Sequence, residues 1–457
     1  MNAARGRRHS MRARPVRFFA LLTVIALLLA ACGSSRKSSK TTPTGSQGGG
    51  AVVDAANCPA GQNAVGVNTA TKTITVGTSM PESGLYGAFT AILKGEKSYF
   101  DYVNAQGGVD IAGTKYKINL VDKDDQYDAS KTVPNVQSLV NDTKVFSLFN
   151  VVGTKNNLAI RNFVNTNCVP DLLIASGAVQ WGNTKYPWML GSELVPYPLE
   201  MQTFVNYLKE KKPNATIAVL KANDDFGQSY ADTLQQLVKG TSLRIVQTQG
   251  YDPEGAEVKS QVTSLAATHA DAFVVGATLL ACPAALSAAN AAGWKPITYM
   301  SGTCVSKILL GAAGAGADGV LSVTPLLDPS DPGNDSNPAM QLYKTTVKKY
   351  ASDADVSDGI VGYGWTTGAL FTEILHRSPK PDRVSVMETA RTLSDVKDVG
   401  LQLPTSTWST SKTDWFIGED FQLIQYSVKA GHTTAVGVLS KDDGKTADLS
   451  PKPLLAQ

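Results

Sequence analysis

Side chains that do chemistry are sparse in this chain of 457 residues, and their spacing excludes the commoner reactions. The four histidines, His9, His269, His376 and His432, stand apart from one another, so neither a zinc-ligand pattern nor an HExxH helix is present. There is also no GxSxG turn to raise a serine nucleophile. Gly444-Lys445-Thr446 matches the end of a phosphate loop, but Leu439 occupies the place of its leading glycine, and the stretch reads as a polar turn. Residues 314–319, GAGADG, satisfy GxGxxG, a motif that holds a pyrophosphate only when it follows a strand and opens a helix. Here the glycines follow the helical Leu309-Leu310 and precede a strand at 320–323, so they read as a helix end and turn. No catalytic residue, metal site or cofactor is expected, and the chain reads as a binding protein rather than an enzyme.

The cysteines carry more information. Six arginines, Arg5 to Arg17, precede the mostly apolar run 18–31, which is short for a spanning helix of about 20 residues. This is the order of an export signal. Leu29-Ala30-Ala31-Cys32 resembles a bacterial lipobox, so residues 1–31 are expected to be a lipoprotein signal and Cys32 the lipid-bearing terminus. Residues 32–56 are expected to form the anchor and a flexible tether, because GSSRKSSKTTPTGSQGGG has no large apolar side chain to bury. Without the signal, 36 Lys+Arg face 39 Asp+Glu, and this balance does not call for a nucleic-acid partner. Cys58, Cys168, Cys282 and Cys304 remain, an even number in an exported chain, which suggests two disulfides with three possible pairings.

The elements that must position any site alternate. From Thr73 onward, short β-branched runs (74–76, 117–121, 145–149, 172–175) are separated by helical patterns, which predicts a parallel sheet covered by helices. The rhythm restarts after Pro196 and Pro198 with strands at 217–220, 243–247, 272–275, 297–300 and 320–323. Some 400 folded residues exceed one ordinary core, so two lobes are expected. Residues 328–338 read as an exposed loop before a helix at 339–350.

Residues 84–87 (GLYG), 103–109 (VNAQGGV), 121–126 (VDKDDQ), 224–227 (DDFG), 317–320 (ADGV) and 362–364 (GYG) occur in an order that resembles the leucine/isoleucine/valine-binding family of periplasmic binding proteins, over roughly residues 73 to 430. The resemblance implies an α/β fold of two Rossmann-like lobes joined by three crossings. Lobe I would comprise 57–194 plus 325–412, and lobe II 195–324 plus 413–450. It also implies hinge closure on a small-molecule ligand in the cleft, an ABC permease as membrane partner, and a monomer anchored on the outer face of the cytoplasmic membrane. A sensor of the same fold, signalling to a membrane partner, is the alternative.

In amino-acid-binding members of that family, two first-lobe hydroxyls hold the α-carboxylate and a second-lobe acid holds the ammonium. Their counterparts here are Gly153 or Thr154, Val179 next to Ser176-Gly177, and Thr303 or Cys304 in place of the acid. A buried ammonium without a counter-charge costs several kcal/mol, which points away from free leucine or valine and toward amides or carboxylates. Phe226 and Leu279 stand where some relatives have tyrosine. The resulting ligand set is Tyr86, Gly153, Thr154, Ser176, Gly177, Phe226, Thr278 and Thr303, with Lys155, Trp181 and Trp188 nearby. Cys282 and Cys304 fall at neighbouring strand ends, which favours their pairing and leaves Cys58 to join Cys168.

Overall fold

In the computed structural model, two sheets grow from this alternation; residues 51–53 and 55–456 are described, so Cys32 and the signal lie outside the described residues. The described residues form one compact unit. The first sheet contains β1 (Val67–Asn68), β2 (Thr73–Met80), β3 (Val109–Ile111), β4 (Thr114–Asp124), β5 (Ser147–Phe149), β6 (Asp171–Ile174) and β7 (Met189–Gly191). The second contains β8 (Thr216–Ala222), β9 (Arg244–Tyr251), β10 (Ala272–Gly276), β11 (Ile297–Met300), β12 (Leu321–Thr324), β13 (Asp420–Ser427), β14 (His432–Ala435) and β15 (Ser440–Lys441). Helices α1 (Thr90–Ala105), α2 (Ala129–Asn141) and α3 (Thr154–Thr166) connect the first set, followed by α4 (Tyr197–Lys211). The second set is connected by α5 (Asp225–Val238), α6 (Lys259–Ala266), α7 (Ala281–Ala291) and α8 (Lys307–Ala312). Then come α9 (Pro338–Tyr350), α10 (Gly359–Arg377) and α11 (Arg383–Ala390).

The parallel strands run β4-β2-β5-β6-β7 in one sheet and β9-β8-β10-β11-β12 in the other. In each, the second strand in chain order lies outside the first, so the winding reverses between β2 and β5 and between β8 and β10. Such a reversal leaves a crevice at the carboxyl ends of the strands, where ligands of doubly wound sheets sit. The chain passes between the sheets three times: through 192–196, after β12, and before β13, which pairs antiparallel with β12. The expectation of two α/β lobes and three crossings describes this topology.

Ile74 and Val76 on β2, and the unbroken run Ala272 to Val275 on β10, are inaccessible to solvent, as expected of strands with helices on both faces. Helix α10 packs along α1, approaching it closely at Gly95 and Gly364, and its side chains from Ile360 to Thr372 are buried. Residues 332–334 form one 3-10 turn in the loop that precedes α9. The tether, expected through residue 56, gives way earlier to packed chain: Val53 is buried, and its backbone N–H donates to Glu388 at 2.9 Å. The Cys58–Cys168 disulfide fixes the N-terminal arm to the chain just before β6. Arg383, fully buried, adds a bond to Gln62 at 3.1 Å and donates to the carbonyls of Val145 and Phe146 at 2.7 and 2.8 Å.

Candidate functional site

The crevice has two ends. At the first, β5 and β6 deliver Thr154 and Ser176, whose hydroxyl oxygens are 2.8 Å apart. Gly153, with φ +106°, turns the chain into α3; a Cβ there would stand 2.6 Å from Asn156 Oδ1 and 2.7 Å from the Tyr127 ring. A Cβ on Gly177 would lie 2.5 Å from the Val195 carbonyl, so that glycine admits the first crossing. The crossing places Tyr197 over the hydroxyl pair, its OH 3.4 Å from Ser176 Oγ. The Tyr197 ring meets Phe226 edge-on at 5.3 Å and Tyr230 at 4.7 Å, closing this end with aromatic surface from the second sheet's helix α5. Asp224 caps that helix, accepting from the Gly227 N–H at 3.0 Å.

Tyr86 extends the seal. Its ring stacks on Tyr127 at 4.5 Å, and its hydroxyl donates across the cleft to the Pro253 carbonyl at 2.7 Å. The acidic cluster ending β4 anchors this corner: Asp125 accepts from Ser79 Oγ at 2.8 Å and from the Tyr127 N–H at 2.9 Å. Burial pushes the Tyr86, Tyr127 and Tyr197 hydroxyls above the ordinary phenol range, so they stay neutral donors. Lys155 lies over the Tyr127 ring at 5.1 Å.

The second end is open. Between α4, α8, α10 and the crossing after β12 lies a cavity with about 1110 Å³ of empty space, open solvent at its mouth included. Val152, Val195, Val305, Val323, Leu326 and Ile360 give it a largely apolar wall, with Thr303 among its polar groups. Tyr363, on α10, also lines it and ties that helix to the first crossing by donating to Ser192 Oγ at 2.9 Å. Glu200 is the acid in the wall: it is 2% exposed, and its Oε2 accepts from the Tyr299 hydroxyl at 2.8 Å and the Gly302 N–H at 3.1 Å. Burial raises its carboxyl to about 7, against the lowering effect of those donors.

Of the eight ligand residues expected, Thr303 lines this cavity, its Oγ1 2.9 Å from Ser301 Oγ. Thr154, Ser176, Gly177 and Phe226 meet instead around Tyr197, with Gly153 against Tyr127. Thr278 is buried, its N–H 3.4 Å from the Tyr251 hydroxyl. Trp181 and Trp188 are buried, with Trp181 Nε1 donating to the Ser176 carbonyl at 2.9 Å. Leu279, inaccessible to solvent, lies in the turn between β10 and α7, in the left-handed region at φ 44°. Glu200 and Tyr197 went unread. Their signal was an acid at 200 inside a stripe of apolar positions, 197, 201, 204 and 208, that faces inward. Cys304, next to Thr303, forms the second disulfide with Cys282, and both are inaccessible to solvent.

Among the described residues no helix is long and apolar enough to cross a membrane. A family model described as periplasmic binding protein matches residues 73–431. Solved structures with the same fold include a substrate-binding periplasmic protein from Ralstonia solanacearum, 22% identical, covering 79% of this chain and 100% of its own, with a TM-score of 0.71. A branched chain amino acid ABC transporter from Thermus thermophilus with bound valine is 15% identical, covering 83% and 99%, at 0.72. A fatty acid ABC transporter substrate-binding protein from Thermomonospora curvata is 20% identical, covering 84% and 96%, at 0.70. With the matched residues spanning both sheets and all three crossings, the chain belongs to the periplasmic binding protein family.

Proposed function

We propose that this protein is an exported lipoprotein, anchored through Cys32 on the outer face of the cytoplasmic membrane, that captures a small organic solute between its lobes and delivers it to the permease of an ABC importer. It acts as a monomer, without chemistry of its own. Lobe I (57–194 plus 325–412) and lobe II (195–324 plus 413–450) move as two bodies about the crossings. The observation that carries this reading is the cavity at the crossings, apolar for most of its wall and built from both sheets' connections. The solute therefore has an apolar body and a few polar groups, as an amino-acid-like compound, amide or carboxylate has.

A thermal-shift screen of the full chain in detergent tests the reading. A solute at 100 times its dissociation constant adds about 2.7 kcal/mol to stability. Thr303→Trp, which fills the cavity from a half-buried position, should remove the shift and leave the free protein's melting temperature nearly unchanged. No shift with any amino acid, amide, amine or carboxylate would count against solute capture. Replacing Cys32 by Ala should release the protein from the membrane fraction, and retention would refute the anchor.

A further inference from the structure

We infer that a hard cation, calcium, is held in the interior between the first sheet and helices α1 and α10, coordinated by Glu96, Glu193 and Asn150. The site lies outside the solute cavity, behind Tyr363, and the inference is independent of which solute that cavity takes. A cluster of phenylalanine rings locates it: Phe149 on β5 meets Phe371 on α10 at 4.9 Å and Phe100 on α1 at 5.3 Å. The two helices run side by side in the same direction. A Cβ on Gly95 would stand 2.6 Å from the Trp365 backbone nitrogen, and one on Gly368 would stand 3.2 Å from the Tyr99 Cβ. Glu96 is one helical turn before Phe100, Thr367 is one turn before Phe371, and Asn150 directly follows Phe149. The layer next to the rings, toward the carboxyl ends of the strands, therefore brings these residues together. Thr367 donates to Glu193 Oε1 at 2.6 Å, which carries the first crossing into the same layer.

The oxygens of this layer are unmet. Glu96, Glu193 and Asn150 are inaccessible to solvent, and Glu96 Oε1 and Oε2, Glu193 Oε2 and Asn150 Oδ1 have no hydrogen-bond partner in the protein. The amide is a sign independent of the acids. Its nitrogen is fixed, donating to the Leu173 carbonyl at 2.6 Å and to the Tyr363 hydroxyl at 2.9 Å, while its neutral oxygen meets no donor. Among the described residues no lysine, arginine or histidine forms an ion pair with Glu96 or Glu193.

Burial holds the Glu96 carboxyl well above the ordinary range; Lys97 works against this and the charge of Glu193 with it. Lys97 itself is paired with Asp122 at 2.7 Å. The two carboxyls thus stand near enough to feel each other, without a hydrogen bond between them. Protonation removes the charge but leaves Glu96 with no hydrogen bond at all, whereas a cation satisfies both carboxylates and the amide oxygen together. An oxygen-only set with two carboxylates matches calcium. Zinc takes nitrogen and sulfur as well as oxygen, and magnesium demands a near-ideal octahedron and keeps its waters.

Titration of the full chain in detergent, first stripped with EDTA, tests the inference by calorimetry and thermal melting. Calcium should bind and raise the melting temperature, with magnesium and sodium weaker. Glu96→Gln and Glu193→Gln keep the shape of the side chain and remove a charge, so each should weaken calcium about 100-fold or more. Asp414, Glu419 and Asp443 are the rival, with carboxylate oxygens within 4.8 Å of one another, but Glu419 already accepts from the Gly444 and Thr446 N–H groups. Asp443→Asn should therefore leave calcium binding unchanged. A terbium-soaked crystal of the parent protein reads the site without any variant, and its anomalous peak should lie between Glu96 and Glu193. Absence of calcium binding, tighter binding of magnesium, binding lost in Asp443→Asn but kept in Glu96→Gln, or a terbium peak only elsewhere overturns the inference.

Discussion

The two ends of the interlobe crevice use similar residue types to opposite effect. At the end under Tyr86, the hydroxyls of Thr154 and Ser176 satisfy each other and are roofed by Tyr197 and Phe226. At the other end, Val195, Val305 and Ile360 face one another across open space, and Glu200 brings a carboxylate to the wall. A polar pair at strand ends is therefore not enough to make a binding site. What decides is whether a bulky neighbour claims the volume, and here Tyr197 claims it on one side while leaving it free on the other.

The largest expected effect comes from breaking the seal. Tyr197→Ala removes a fully buried ring and should cost about 3–5 kcal/mol in urea denaturation. It should also uncover Thr154 and Ser176, letting small carboxylates bind where the parent protein excludes them. Next is the disulfide beside Thr303: replacing Cys282 and Cys304 by Ala opens a loop with a sequence separation of 22 and should cost about 3 kcal/mol, with weaker solute binding.

The third prediction is electrostatic. Glu200 and Glu193, each raised by burial to about 7, and Asp171, raised to about 8, keep their protons in the native state while the unfolded carboxyls ionise near their ordinary values of 4.5 and 3.8. Between about pH 5 and 8 the native state thus binds more protons than the unfolded one, so stability falls as pH rises through that window. The melting temperature of the unliganded protein should be higher at pH 5.5 than at pH 8. Glu200→Gln should remove on the order of 2 kcal/mol of that pH dependence. The smallest effect is that of Tyr86→Phe, which deletes the bond across the cleft to Pro253 and should cost about 1 kcal/mol while speeding solute release.

The alternation of β-branched runs with helical patterns made both parallel sheets legible, because strands such as 272–276 are buried on both faces and read as unbroken apolar runs. The short strands β3 and β7, and β13 to β15, were not legible: β3 and β7 are only three residues long, and β13 takes its place by pairing with β12 far earlier in the chain, with β14 and β15 added to it. Helix α10 was legible only at its opening GYG, because burial all round erases the periodicity that marks a surface helix. The disulfide pairing followed from neighbouring strand ends, and the structure has it so. In the site, strand-end positions such as Thr154 and Ser176 were readable from the family resemblance. The roles of Tyr197 and Glu200 were not, since these depend on how the first crossing turns α4 against both sheets.

The most direct measurement is a crystal structure of the protein with the solute that stabilises it most. The account predicts that solute in the cavity bounded by Thr303, Val195 and Ile360, with Tyr197 still covering Ser176. A solute bound against Thr154 and Ser176, with the Tyr197 ring displaced, would contradict it.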